Sequence, residues 1–124
     1  MSGVQFREAG LPEPTEDWTW DDLVRNAVAL TRPATAEDPG VWGCGRQEGW
    51  WGEWLTYVRQ AGGTVFTADG RRCALDSPEA IAGLRFFQEK ALKHQYSAPA
   101  GFEPLNGFVN GRLAMVMVGH VTYW

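Results

Sequence analysis

The residues able to do chemistry are few, and one short stretch collects them. In GWWGEWLTYVRQAGG, Gly49 to Gly63, Trp50, Trp51 and Trp54 stand within five positions, with Glu48 just ahead and Glu53 among them. Two carboxylates flanking an aromatic cluster raise the possibility of a glycosidase pair, one acid and one nucleophile. Spacing alone does not define such a pair, and Glu53 falls on a helix whose outer face is expected to be charged. His94 and His120 are the only histidines. His94 stands at a helix end, where a cation suits the dipole. His120 follows an apolar run of strand length, and strand C-terminal ends are where α/β domains place ligand contacts. No serine or cysteine sits in a nucleophile elbow. No phosphate-binding glycine loop and no metal-ligand spacing occur.

Tryptophans are costly to leave in water, so a cluster of them at a helix entrance implies a core or a flat, partly apolar ligand. A sugar ring is such a ligand: its C–H face stacks on indole while its hydroxyls meet polar groups. The candidate surface aromatics are Trp42, Trp50, Trp51, Tyr123 and Trp124. Adjacent residues at a helix start cannot both face the core, so one of Trp50 and Trp51 points outward.

The 124 residues suffice for one domain with a real core. Hydrophobic content of 44% and charged content of 21% indicate a globular chain. The net charge is −4 and no basic block interleaves with the aromatics, which excludes an electrostatic footprint for nucleic acid. No apolar run is long enough to span a bilayer, and no signal-peptide pattern is visible. The aromatic ending Val121-Thr122-Tyr123-Trp124 and the Met-Ser-Gly beginning suggest a piece of a longer protein. Cys44 and Cys73 can form one bridge in an exported protein, or stand as two small buried thiols.

The elements that must position these residues follow from periodicity and caps. Val4 to Ala9 is a short amphipathic turn or helix. Thr19 caps a helix with Asp22 reaching back, and Trp20, Leu23, Val24, Ala27 and Leu30 form its apolar stripe. Val41 to Cys44 is a short strand. A helix from about Trp50 to Ala61 has Trp51, Trp54, Leu55 and Val58 as its inner stripe and Gly62 as its left-handed cap. Asp69-Gly70 turns a hairpin between Thr64–Phe66 and Arg72–Leu75. Asp76 or Ser77 caps the next helix, with Ile81, Leu84, Phe87, Ala91 and Leu92 buried, ending near Lys93-His94. Phe102 to Asn110 is a shorter helix, apolar at Phe102, Leu105, Phe108 and Val109. Arg112 to Val118 is a strand buried on both faces and expected at the centre of the sheet.

Five pieces in this order resemble a known family: AGLPEPTEDWTWDDL, GVWGCG, the helix ending RQAGG, TVFTADGRRCALDSPEAIAGLRFFQEKA and FVNGRLAMVMVGH. Together they look like the middle of an extracellular solute-binding protein of an ABC importer, of the carbohydrate-binding, maltose-binding-like family. The resemblance covers essentially the whole chain. It implies an α/β (α+β) fold: a helix-rich lobe of a type II periplasmic-binding-protein fold with a small mixed sheet. The 124 residues would form a single domain, part of one lobe of a two-lobed protein. The expected ligand is a sugar or oligosaccharide. The expected partners are the missing lobe and the permease subunits, and no cofactor, metal or nucleic acid is called for. Localisation would be extracellular or periplasmic, with a lipid anchor on the full-length protein. Carried over position by position, the ligand contacts fall on Glu48, Trp50 and Trp51, with Trp54 beside them, and on Gly119 and His120, with Trp124 as a substitute ring. Val121 stands where the family places a stacking tryptophan, which moves the stacking role toward Trp51 or Trp124. Two other classes compete: a carbohydrate-active enzyme or accessory module built on Glu48 and Glu53, and a protein–protein module anchored by the tryptophans.

Overall fold

A computed structural model describes residues 3–47, 49–93 and 95–119. Seven elements follow one another: α1 (Gly3–Glu8), α2 (Trp20–Leu30), β1 (Trp42–Cys44), α3 (Trp51–Gln60), α4 (Pro78–Leu92), α5 (Pro104–Val109) and β2 (Leu113–Met115). The chain divides into two compact units, Met1–Arg46 with Lys90–Met117, and Gln47–Glu89 with Val118–Trp124. The division falls inside α4.

In the first unit α2 begins as its sequence dictates. The Thr19 hydroxyl accepts from the Asp22 N–H at 3.3 Å, and the Asp22 carboxylate accepts from the Thr19 N–H at 2.9 Å. This reciprocal capping box satisfies amide donors that the helix itself leaves open. Arg25 also pairs with Asp22. The Thr19 backbone bond, then its hydroxyl, then Arg25 lower the Asp22 carboxyl from 3.8 to about 2. Asp38, chiefly through the Gly40 N–H, and Asp69, chiefly through the Thr67 hydroxyl, shift in the same direction. A depressed folded pKa contributes stability that is complete above the unfolded value and lost as pH falls through the folded one. The melting temperature should therefore be flat above the ordinary aspartate range and fall toward pH 2. Thr19→Ala should lose about 1 kcal/mol near neutrality and show a shallower acid slope. Circular-dichroism melts across pH check both; an unchanged slope in the variant contradicts the assignment.

The α2 stripe buries Ala27 and Leu30, and with Phe6, Val41, Cys44, Tyr96, Ala114 and Met115 they form the core of this unit. Trp20 is half-buried, whereas Trp18 stacks obliquely on Phe6 with ring centroids 5.8 Å apart. Helix and strand meet backbone to backbone. A Cβ on Gly43 would lie 1.9 Å from the Ala27 carbonyl oxygen. The Thr31 hydroxyl stitches the same joint, donating to the Ala27 carbonyl at 2.7 Å and accepting from the Gly43 N–H at 3.0 Å.

β1 and β2 pair in parallel with Trp42 opposite Leu113 and Cys44 opposite Met115. An isolated antiparallel bridge joins Arg32 to Val41. The expectation that β2 is central needs correcting. β1 is hydrogen-bonded along both edges among the described residues: Trp42 and Gly45 donate to Arg112 and Met115, while Cys44 exchanges bonds with Tyr96 and Ala98. A continuous apolar run reports burial on both faces of a strand, which β2 has, and carries no information on order within the sheet. Lys90, 1% exposed, donates to the Gly45 carbonyl at 3.2 Å. α5 starts two residues later than expected, at Pro104, and leaves Leu105 and Val109 exposed. Phe102 lies outside the helix, against Gly107.

In the second unit α3 ends in a Schellman arrangement. The Gly62 N–H donates to Arg59 and the Gly63 N–H to Val58, with Gly62 at φ +89°. α4 is capped by Ser77, whose hydroxyl accepts from the Ala80 N–H at 3.2 Å. Its buried face differs from the expected stripe: Ile81 and Leu92 are 43% and 71% exposed. The buried positions are Ala80, Gly83 and Lys90 instead. The cause lies at the small residues. A Cβ on Gly83 would fall 2.5 Å from the Tyr57 carbonyl, and one on Gly63 would fall 2.8 Å from Ala80 Cα. The two segments thus approach at backbone distance there, which turns Ala80 and Gly83 inward. Tyr57, not foreseen as core, is buried between Phe86 and Phe87, at 5.1 and 6.3 Å between ring centroids. The hairpin forms around Gly70 with Phe66 opposite Cys73, as an isolated bridge rather than paired strands. Cys73 is exposed and Cys44 buried, and neither is in a disulfide, so neither the bridge nor a pair of buried thiols describes them.

Candidate functional site

The entrance of α3 is built by its own backbone. Trp50 is the N-cap, extended at φ −105° and ψ 112°, and makes no side-chain cap bond. Its N–H donates to the Gln47 carbonyl at 3.1 Å, closing a turn. The Glu53 N–H donates to the Trp50 carbonyl at 3.2 Å. Glu53 Oε2 accepts from the Gln47 N–H at 2.6 Å, a short charge-assisted bond.

The two tryptophans part company here, as adjacent helix-start residues must. Trp50 is half-buried, its indole folded over Gly52: a Cβ on Gly52 would sit 2.4 Å from Trp50 Cζ2. Trp51 points outward and is 64% exposed. Its expected place in the inner stripe is therefore wrong, and its place among the ligand candidates is physically open. Trp54 and Leu55 are half-buried and Val58 is fully buried.

The other expected site residues divide sharply. Gly119 is half-buried and belongs to the same compact unit as Trp50 and Trp51. Glu48, His120 and Trp124 lie outside the described residues, as do His94, Val121 and Tyr123. Trp42 is half-buried in β1.

Glu53 is the main correction. It was expected on a charged outer face, yet it is 1% exposed. A carboxylate that deep must be satisfied by hydrogen bonds, and the Gln47 N–H supplies one. The signal was present in the sequence as an acidic residue three positions after the cap. It went unused because the cap itself, Trp50, offers no side-chain acceptor to make the reciprocal pattern recognisable.

Among the described residues, no group of three His, Cys, Asp or Glu side chains can hold a metal ion. No described helix is long and apolar enough to cross a membrane. In the first unit a groove of about 560 Å³ runs between Val4, Glu8, Leu30, Arg32, Phe108 and Val109. Of the expected ligand residues that are described, Trp50, Trp51, Trp54 and Gly119, none lines it.

The fold is that of periplasmic binding proteins. An ABC substrate-binding protein of Listeria monocytogenes in complex with cycloalternan superposes with a TM-score of 0.76 at 29% identity, covering 91% of this chain and 29% of that one. An ABC transporter solute-binding protein of Thermotoga lettingae bound with α-D-tagatose gives 0.76 at 26% identity, covering 91% and 30%. A cyclic α-maltosyl-1,6-maltose binding protein of Arthrobacter globiformis gives 0.62 at 26%, covering 89% and 28%. The chain thus spans about three tenths of the length of these proteins. The family model of the bacterial extracellular solute-binding proteins matches residues 5–122, and the chain belongs to that family. Comparison with curated protein sequences gives no match.

Proposed function

We propose that this chain forms part of one lobe of a two-lobed solute-binding protein and supplies one face of a cleft that captures a sugar or oligosaccharide for an ABC importer. The observation that carries the reading is the outward Trp51 beside the seated Trp50, in a family member whose structural relatives include proteins in complex with cycloalternan and α-D-tagatose and a cyclic maltosyl-maltose binding protein. An exposed indole offers a flat apolar face for the C–H side of a sugar ring. Polar groups expected beside it are Glu48 and His120, with Gly119 allowing close approach and Trp124 as a further ring. In a cleft, ligand favours the closed arrangement of two lobes by its higher affinity for that state. The family description places such proteins outside the cell. Anchoring by a lipid and docking on permease subunits complete the proposal. Mass spectrometry of the membrane-associated protein tests the anchor, and an unmodified N-terminus would remove it.

One face offers about half the contacts. Titration of the isolated chain with oligosaccharides by calorimetry should give binding weaker than millimolar or none, and micromolar affinity for the lone chain would overturn the shared-cleft reading.

The enzymatic alternative needs Glu53 as acid or nucleophile. Its burial and its bond to the Gln47 N–H support a structural task instead. Glycosidase activity abolished by Glu53→Gln would reverse this preference.

A further inference from the structure

We infer that Glu53 and Gly52 are the positioning residues of the α3 entrance: Glu53 ties Gln47 to the first turn of α3, and Gly52 provides the seat on which the Trp50 indole rests. The inference rests on the cleft reading for its functional meaning, and on geometry alone for its content.

Three hydrogen bonds form a closed ring. Trp50 N–H donates to Gln47 O at 3.1 Å, Glu53 N–H donates to Trp50 O at 3.2 Å, and Gln47 N–H donates to Glu53 Oε2 at 2.6 Å. In an ordinary capping box the acid at the third helical position reaches back to the N–H of the cap. Here that N–H is already spent on Gln47. The carboxylate therefore reaches three residues further back, to the N–H of Gln47. Trp50 is carried on backbone held by this ring.

The indole is placed by a second device. Trp50 folds back over the first helical turn, and its Cζ2, Cε2 and Cη2 atoms would all lie within 2.9 Å of a Cβ at position 52. Contacts under about 3 Å are not tolerated, so any residue but glycine must push the ring off. Glycine is intrinsically unfavourable in a helix by about 1 kcal/mol relative to alanine. Retaining it at the second position of α3 is intelligible as room for the ring. With Trp50 seated inward, Trp51 is the indole left to solvent.

The test is nuclear magnetic resonance on the intact chain with three variants. In the unaltered chain the Gln47 amide should resonate downfield and exchange slowly, and a Gly52 Hα should be shifted upfield by the indole above it. Glu53→Gln keeps an acceptor oxygen and should retain both signals. Glu53→Leu keeps bulk without the acceptor and should lose both. Gly52→Ala should retain the Gln47 signal and move the Trp50 indole N–H resonance, although alanine favours the helix. If Glu53→Leu fails to fold, the other two variants decide. Retention of the Gly52 shift in Glu53→Leu, loss of the Gln47 signal in Glu53→Gln, or an unmoved indole in Gly52→Ala would overturn the inference. The cleft reading fails separately: these signals behaving as stated, in a protein whose two-lobed form ignores cycloalternan, tagatose and maltotetraose, would remove the sugar and leave the positioning intact.

Discussion

Gly43→Ala is expected to destabilise the first unit by more than about 3 kcal/mol, the upper range of overpacking effects. The added methyl would lie 1.9 Å from the Ala27 carbonyl oxygen, 2.5 Å from its carbon and 2.7 Å from its Cα. All three are backbone atoms, so no rotamer change relieves the clash. Helix and strand must separate by more than an ångström, which also pulls the Gly43 N–H away from Thr31 Oγ1. Urea denaturation followed by far-ultraviolet circular dichroism measures the loss. A cost below about 1 kcal/mol would mean that the α2–β1 joint is looser than described. Gly70→Ala is an informative companion. Its Cβ meets nothing within 4 Å, while its φ of +71° makes alanine strained by about 1–2 kcal/mol. Collision and backbone strain are thereby separated.

On the proposed cleft reading, Trp51→Ala is expected to weaken sugar binding by the full-length protein about 30-fold, equivalent to about 2 kcal/mol for an aromatic anchor. Because Trp51 is exposed, stability should change by no more than about 0.5 kcal/mol. That contrast is diagnostic. A core tryptophan would lose stability first and binding only as a consequence. Calorimetry with cycloalternan, tagatose and maltotetraose, beside thermal melts, gives both numbers. Unchanged affinity for a sugar that the parent binds would take Trp51 out of the cleft.

Much of the fold could be read from the chain because local chemistry decided it. Thr19 with Asp22, Ser77 before Pro78, and Gly62 after Gln60 each satisfy backbone groups within a few residues, so their sequence patterns are sufficient. What escaped was set by contacts distant in sequence. The buried face of α4 is turned by Gly83 meeting Tyr57, twenty-six positions earlier, and no periodicity in α4 encodes that. Among the described residues, β1 rather than β2 lies between two hydrogen-bonded neighbours because residues 96–98 return beside it, a loop with little strand character of its own. At the site, the outward turn of one tryptophan followed from helix geometry, but which one did not. That choice depends on the space above Gly52 and on a carboxylate assumed to face water. Glu53 looked like a surface charge because a backbone amide is among its partners, a group that every residue but proline provides and no sequence advertises.

The glycine contacts at Gly63 and Gly83 also bear on how such a protein can diversify. They hold α3 against the start of α4 through main chain, at the end of α3 remote from Trp51. Selection acting on the exposed entrance can therefore trade one side chain for another without disturbing the seating of the helix, as a tool holder accepts new bits. Saturation mutagenesis scored for folding should tolerate most residues at position 51 and almost none but glycine at positions 63 and 83; broad tolerance at the latter two would refute this separation of anchor from working face.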